Sequence, residues 1–584
     1  LSEQQDRRRR LTVLVVVLLL LVLEAWFLRG VLKTDNLIGD AGDARLNNFI
    51  AEHWYNVALG RESAANLPIF YPIANTVSYT DLLIGFSIPY SVFRSVGVDM
   101  FLANKLTLIL FHLAGTLFLY ALLRKYLRFS VLPALTGTVV CAFASAYSIR
   151  FVHTQMFAFS MVPMLLYAMA AYHQRLSLPL KKRLAIGLLT IALYALMWYT
   201  SFYTAYFTAL FLLIFSVAYF ILSLWRSKRP FARVWGGLKT HALEICLALV
   251  VFAALMVPFI LIYLPSFQSY GARSFDEVNL YLPRIWDLFN ASPHSLMYGR
   301  LFSRLPATNH ELWVGFPPVT FALFVFAAGF HLIHFLRERK ALATCTEPEP
   351  SQKAGMDRAL FLFAVAASVL FSMLLIVNWG DGISLWRLAY RFLPGAAAMR
   401  AVARYLLILT LPAGVCIAAL IEAKLQNAHS GPKAPLARAA AALLLVLLVL
   451  DNSVVASYAS HWNRSVSIQA NLSVPSPPPD CKVMYYYDEV PSDQTDDHAV
   501  FQLDAWQTGI FYGIPTINGY SGQFPYNWHD LWSPDNPLYL SAADYWINTY
   551  HLEGVYAYLV QSRRWVPHSE LMKLKAEQTK GINP

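Results

Sequence analysis

The chain has 584 residues, 57% hydrophobic and 14% charged, with mean hydropathy +0.45 and formal net charge +11, against about a quarter charged residues in ordinary soluble proteins. Water is therefore not its main solvent. The basic excess lies mainly in short loops between apolar runs, where membrane topology accounts for it without nucleic acid.

At the start, RRRR at 7–10 precedes LTVLVVVLLLLVLEAWFL. This reads as an uncleaved first span, since the apolar run exceeds a signal peptide's core and no small-residue cleavage site follows. With the first at 11–29, candidate spans follow at 101–123, 130–149, 156–173, 184–200, 203–224, 241–264, 314–336, 358–378, 402–422 and 438–457. Each approaches the roughly 20 residues that cross a hydrocarbon layer, where lipid admits helices but not isolated strands.

Placing 7–10 inside puts the same side on Arg124, Lys125 and Arg128, on Arg175, Lys181, Lys182 and Arg183, and on Arg226, Lys228, Arg229 and Arg233. Arg337, Arg339, Lys340, Lys424 and Lys433 follow the same bias, and eleven spans leave the C-terminus outside. Counting LLIGFSIPYSVFRSV at 82–96 as a span would invert every later loop, so it is expected as an interfacial or re-entrant helix at the outer face. The long outer segments are then 30–100, 265–313 and 458–584, with a shorter basic one at 379–401.

The expected fold is an all-α polytopic membrane protein of about eleven transmembrane helices over 1–457, a linker at 458–479 ending in the proline-rich SVPSPPPD, and an extracytoplasmic α/β domain at 480–584. In that domain KVMYYYDE reads as a strand and FQLDAWQTGIFYGIPTINGYSG as mixed strand, helix and turn. No internal repeat is evident. Cys141, Cys246 and Cys416 sit in apolar runs, Cys345 in a loop and Cys481 in the tail, in no metal-binding or disulfide pattern.

Chemistry-bearing residues concentrate outside. The first outer loop, LIGDAGDARLNNFIAEHWYNVALG, carries Asp40 and Asp43 before a helix-like run. Asp43 either caps that helix or takes a proton from an incoming hydroxyl. Glu52 and His53 line the cavity or are interfacial polar residues, while Tyr79 and Asp81 in FYPIANTVSYTDLLIG shape the same cavity unless Asp81 caps the interfacial helix. Arg150 and His153 mark an outer helix end in SIRFVHTQMF.

The segment 263–316 mixes Arg273, Asp276, Glu277, Arg284, Arg300, Arg304, His310 and Glu311. Glu311, in NHELWVGFPP, orients a substrate hydroxyl or a cation, or else caps or pairs locally. Arg387, Arg391, Arg400 and Arg404 fall on the outer side against the charge bias, with Arg400 and Arg404 spaced to share a helical face. A lipid phosphate suits such guanidinium forks; acidic outer loops and ordinary headgroups are the alternative partners. A Walker loop, HExxH, GxSxG and metal-spaced Cys or His are all absent, which disfavours an ATP-driven transporter or a protease.

These pieces resemble the GT-C superfamily of membrane glycosyltransferases: an acidic first outer loop with Asp40 and Asp43, an interfacial helix before the second span, many helices and a C-terminal outer domain. FYPIANTVSYTDLLIG, HTQMFAFSMVPMLLY, NHELWVGFPPV and FLPGAAAMRAVARYLLIL, with NGYSGQFP in the tail, are similar to bacterial YfhO-like proteins of the lipoteichoic-acid glycosylation branch. GDAGDAR departs from the plain Asp-Glu pair of the best-known members, leaving the base between Asp40 and Asp43, with Asp43 favoured because Arg45 and the helix follow it.

The resemblance implies a polyprenyl-phosphate sugar donor whose phosphate meets Arg400, Arg404, Arg391, Arg387 and Arg150. Glu52, His53, Asp81, His153, His310 and Glu311 would line the cavity, and a glycan, lipid or protein acceptor hydroxyl would attack with inversion as Asp43 takes its proton. The tail aromatics Tyr485, Tyr486, Tyr487, Trp506, Tyr520, Trp528 and Trp546 would stack on acceptor sugars, or are core residues or interfacial anchors. The sequence requires no cofactor and assigns no metal ligands; a divalent cation serves some relatives and not others. The implied location is a bacterial inner membrane with the active face and tail periplasmic. A transporter or flippase of a lipid-linked saccharide is the alternative, but its inverted repeats and interrupted helices are not seen. A non-catalytic scaffold leaves the carboxylate loop unexplained.

Overall fold

The computed structural model describes residues 2–224, 230–305, 309–345, 349–380, 382–428, 431–456, 460–490 and 498–580. Arg226, Lys228 and Arg229 of the third basic loop lie outside the described residues. Among the described residues 11 helices are long and apolar enough to cross a membrane, from Arg10–Phe27 to Ala434–Asp451, each where an expected span falls. The chain is thus a polytopic helical membrane protein with a small sheet near its C-terminal end. The Ile84–Ser95 helix has 12 residues, about 18 Å at 1.5 Å per residue, too short to cross a core about 30 Å thick.

The Val402–Ala428 span is, with Val131–Ile149, the most enclosed among the described residues, its helix buried from Tyr405 through Glu422. It packs backbone to backbone on the Val131–Ala142 helix: a Cβ on Gly414 would lie 2.8 Å from the Gly137 carbonyl oxygen, and one on Gly137 3.1 Å from that of Gly414. Small residues permit this approach, which membrane helices use because lipid offers no hydrophobic drive between them.

Carboxylates stop several helices at the outer end. Asp99 accepts from the Phe101 and Leu102 N–H groups and pairs with Arg464 at 2.7 Å, while Asp451 accepts from the Val319 and Thr320 N–H groups that begin the Pro318–Thr344 helix. Asp81 accepts from the Phe202 N–H at 3.1 Å, so it caps the Phe202–Leu224 helix and not the interfacial helix that follows it in sequence. Each such bond satisfies an N–H that the helix leaves without a partner.

Arg464–Ser473 forms a helix inside the expected linker, because RSVSIQANLS holds neither Gly nor Pro and Asn463 accepts from the Val466 N–H. The tail sheet has β1 Val483–Tyr487, β2 Val555–Leu559 and β3 Arg564–Pro567, in the order β1-β2-β3. β1 and β2 are parallel, with Tyr485 opposite Ala557, and β2 and β3 antiparallel, with Tyr558 opposite Trp565. The parallel pair needs a crossover, supplied by helices His498–Tyr512 and Tyr539–Thr549. Tyr485, Tyr486, Trp506, Trp528 and Trp546 are buried in this unit, which makes them core residues; Tyr487 and Tyr520 are half-buried.

The free edge of β1 is covered by the rest of the chain. Met484 donates its N–H to Pro515 O and accepts from the Ile517 N–H, and segment 515–518 bonds in turn to the first long loop, through Phe70 N–H to Asn518 O, Tyr71 N–H to Thr516 O and Thr516 N–H to Pro68 O. The Trp546 indole donates to Tyr71 O at 2.8 Å. The other outer segments join the same assembly: Ser521 donates to Tyr79 O, Arg273 donates to Gly522 O, and the Arg273 N–H to Ala397 O.

Candidate active site

The Asp43–Ala58 helix begins at Asp43 with Gly42 in the cap position and no side-chain cap. Asp40 Oδ1 accepts from the Ala44 N–H at 3.0 Å, so Asp40 serves the first turn and Asp43 is released from it. Asp43 reaches elsewhere. The Tyr520 hydroxyl donates to its Oδ1 at 2.5 Å, and His153 Nδ1 lies 2.6 Å from its Oδ2. Burial pushes Asp40 above the ordinary carboxylate range, aided by the Asp43 charge and opposed by the Ala44 N–H. Burial acts upward on Asp43 too, but the bond and charge of His153, the Tyr520 hydroxyl and the Arg404 charge outweigh it, and Asp43 stays below the ordinary range.

His153 stands in the bend between the Ser145–Ile149 helix and the turn Thr154–Ser160, where two spans meet with almost no loop. Its Nε2 lies 2.6 Å from Glu311 Oε1. Glu311 belongs to the turn His310–Leu312, whose start is held by Asn309 Oδ1 on the Glu311 N–H. Arg404 donates to both Glu311 oxygens, at 3.0 and 2.8 Å, Arg150 Nη1 lies 3.1 Å from Oε2, and Arg150 Nη2 donates to His310 O. Burial raises Glu311, yet Arg404, Arg150 and His153 together hold it well below the usual carboxylate range. The His153 ring thus stands between two carboxylates, Nδ1 toward Asp43 and Nε2 toward Glu311. The result is a continuous chain Asp43–His153–Glu311–Arg404/Arg150.

His153, His310 and Glu311 bring ligand-type atoms within 4.8 Å of one another. They do not fit a cation: both Glu311 oxygens already accept from guanidinium groups, and both His153 nitrogens face carboxylates. Burial holds the His310 imidazole below its ordinary value, with Arg150, His153 and Arg404 adding to this and Glu311 opposing it.

The arginines separate. Arg400 and Arg404 do not share a helical face, because Val402–Arg404 is a tight 3-10 turn and the regular helix begins at Tyr405. Arg404 is 6% exposed and Arg150 2%, both committed to Glu311 and turned from the surface role their sequence positions suggested. The Arg400 side chain is 43% exposed, 3.8 Å from Glu277, with Arg273 on the same carboxylate at 3.0 Å. Arg387 and Arg391 are exposed on the short Trp386–Phe392 helix, against the rings of Phe275 and Phe392.

Glu52 and His53 turn to local partners. Glu52 binds Arg94 through both oxygens and accepts from Tyr90, and His53 Nδ1 meets Glu62 at 2.5 Å, so both fasten the first loop's helix to its surroundings. Asp81 feels the Arg404 charge and so borders the cluster.

Neither a known protein family nor any curated protein matches the chain. Among solved structures it aligns with ArnT from Cupriavidus metallidurans bound to undecaprenyl phosphate, at 11% identity and TM-score 0.33, over 86% of this chain and 85% of that one. It also aligns with the archaeal oligosaccharyltransferase AglB from Archaeoglobus fulgidus in complex with an inhibitory peptide and a dolichol-phosphate, at 12% identity and TM-score 0.46, over 93% and 69%. Both scores fall below one half, and no residue of the site is assigned from either.

Three contacts were not foreseen from the sequence. Tyr520 reaches Asp43 from the tail motif NGYSGQFP, a segment conspicuous for its glycines and aromatics. Arg45, also near the start of that helix, is buried and bonds Asp504 and Gln507 of the His498–Tyr512 helix. The Tyr203 hydroxyl accepts from the Arg400 N–H at 3.0 Å while its ring lies under Arg404 at 5.1 Å, tying the two arginines through one side chain.

Burial pushes Asp81 up to about 6, against the Phe202 N–H and the Arg404 charge. A carboxyl raised in the folded state contributes stability that is fully present below its ordinary 3.8 and lost as pH rises through about 6. Asp81→Asn keeps an acceptor for the cap and removes the titration. Its unfolding midpoint in detergent should therefore gain on the wild type between those two pH values; parallel curves would show that Asp81 does not titrate there.

Proposed function

We propose that this chain is a GT-C-type glycosyltransferase that moves a sugar from a polyprenyl-phosphate-linked donor to an extracytoplasmic acceptor hydroxyl. The observation that carries the reading is Asp43: a carboxylate held ionised by His153 and Tyr520, its side chain 26% exposed, where the outer loops and the tail meet. Glu311, behind it, is buried.

In the reaction, the acceptor oxygen bonds to the anomeric carbon as the bond from that carbon to the phosphate oxygen breaks. The acceptor proton passes to Asp43, and the carrier leaves as a lipid phosphate. Direct displacement inverts the carbon. A positioned base contributes about 10²–10⁴-fold, and fixed cations at the leaving group add electrostatic stabilisation. Arg400, only loosely paired to Glu277, and the exposed Arg387 and Arg391 are the arginines available to the phosphate. Arg404 acts at longer range, its charge reaching Asp43 from behind.

The membrane is the bacterial inner membrane, with this face periplasmic, and the acceptor is a glycan, lipid or protein. The resemblance of the loop motifs to proteins of the lipoteichoic-acid glycosylation branch supports this reading.

The test is turnover by purified protein given a synthetic polyprenyl-phosphate sugar, with mass spectrometry of both the released carrier and the copurified lipid. Formation of a glycosylated acceptor supports the proposal; a bound carrier with no cleavage in the presence of varied acceptors defeats it. Arg400→Ala should weaken donor capture about tenfold, the scale of one charge-assisted bond. Unchanged donor affinity would remove Arg400 from the phosphate site.

A further inference from the structure

We propose that Tyr520 is the positioning residue of Asp43. Its hydroxyl donates to Oδ1 while His153 Nδ1 lies 2.6 Å from Oδ2, so that the tail of the chain, 477 residues away in sequence, aims the base at the acceptor. The inference rests on the transferase reading above and adds the tail to its machinery.

A carboxylate held at one oxygen can still swing about its last bond, whereas one held at both is fixed, and a base must present its lone pair within hydrogen-bond reach of the proton it takes. Each oxygen retains acceptor capacity after one bond. The side chain's remaining 26% exposure is therefore the acceptor's approach.

Tyr520 is itself held on every side. Before it, Asn518 Nδ2 donates to Gln502 and Tyr539, the Gly519 N–H donates to Gln502, and a Cβ on Gly519 would come within 2.4 Å of the Phe70 ring. After it, Ser521 donates to Tyr79 O at 3.1 Å. The Tyr520 ring stacks on Trp532 at 5.9 Å, Trp532 meets Phe524 edge-on at 5.3 Å, and Phe524 stacks on Trp528 at 5.5 Å. The arrangement is anchored on the buried Asn518, Trp528 and Tyr539 of the tail's own core. It delivers one hydroxyl to one carboxylate of another segment.

Tyr520→Phe removes the hydroxyl and keeps the stack. The full-length protein is treated with a water-soluble carbodiimide, which modifies protonated carboxyls, across a pH series, and labelling of the Asp43 peptide is followed by mass spectrometry. Loss of a hydrogen bond to the charged form should raise the Asp43 midpoint by about one pH unit. Tyr556→Phe, whose hydroxyl meets Asp480 in the sheet, should leave it unmoved. Tyr520→Gln, which restores a donor without the ring, should recover part of the shift and covers the case in which the phenylalanine variant folds poorly.

In transfer assays Tyr520→Phe should lower kcat/KM for the acceptor about tenfold and leave the donor KM unchanged. An Asp43 midpoint identical to wild type in Tyr520→Phe overturns the proposal. A shifted midpoint in a protein that transfers no sugar overturns instead the transferase reading beneath it, so the two failures are distinct.

Discussion

Asp43→Asn is expected to lower sugar transfer by about 10²–10⁴-fold while the protein folds and captures its lipid donor as before. The amide can still accept from Tyr520 but cannot take a proton, and its neighbours lose only one charge. Asp40→Asn should behave differently, because the amide oxygen still accepts from the Ala44 N–H and Asp40 touches no other element by hydrogen bond. Transfer near the wild-type rate in Asp43→Asn, or an equal loss in Asp40→Asn, would end the assignment of Asp43 as base. The pH profile gives a second check. Asp43 must be ionised to act, and its surroundings hold it below the ordinary 3.8. The midpoint of the acid limb of kcat/KM should therefore lie beneath that value.

Glu311→Leu is expected to cost about 3–5 kcal/mol of stability, the range found when one member of a buried ion pair is removed. The reason is what remains: Arg404 at 6% and Arg150 at 2% exposure, cations turned toward an absent anion. Chemical unfolding in mixed micelles measures the loss. Adding Arg404→Met should recover part of it, with a coupling of about 0.5–3 kcal/mol in the double-mutant cycle. Additive losses would show that the two side chains do not stabilise one another. Because Glu311 is depressed in the folded state, its contribution is present above the usual 4.5 and disappears as pH falls through its lower native value. Wild type should thus lose ground to the leucine variant only in that acidic range.

The spans were legible because hydropathy and the charge of short loops are local properties, and lipid enforces both. The interfacial helix at 84–95 was legible for the same reason: counting it as a crossing would have reversed every later loop. The candidate site was readable only as a set of residue types. His153, Glu311, Asp43 and Arg404 each stood out as a polar group beside an apolar run, but nothing local says that His153 bridges two carboxylates or that Glu311 absorbs two arginines. Helical spacing misled at Arg400 and Arg404, since it presumes regular helix where the chain makes a 3-10 turn. Asp81 misled similarly, as an acidic residue before a helix that caps another helix over a hundred positions away. Tyr520 carried the weakest signal, one tyrosine among 32, and only its glycine-flanked motif set it apart.

The tail sheet leans on 68–71 for the outermost row of its backbone bonds, and this sets an order of events during biosynthesis. The ribosome makes that row first and the strands that need it last, so the early loop must wait for its partner until translation ends. Throughout that interval Asp43 lacks its bond from Tyr520, and a nascent chain halted before Tyr520 would possess the spans without it. Expressed alone, the tail would present a bare row of N–H and C=O groups to its own copies, the usual beginning of edge-to-edge association.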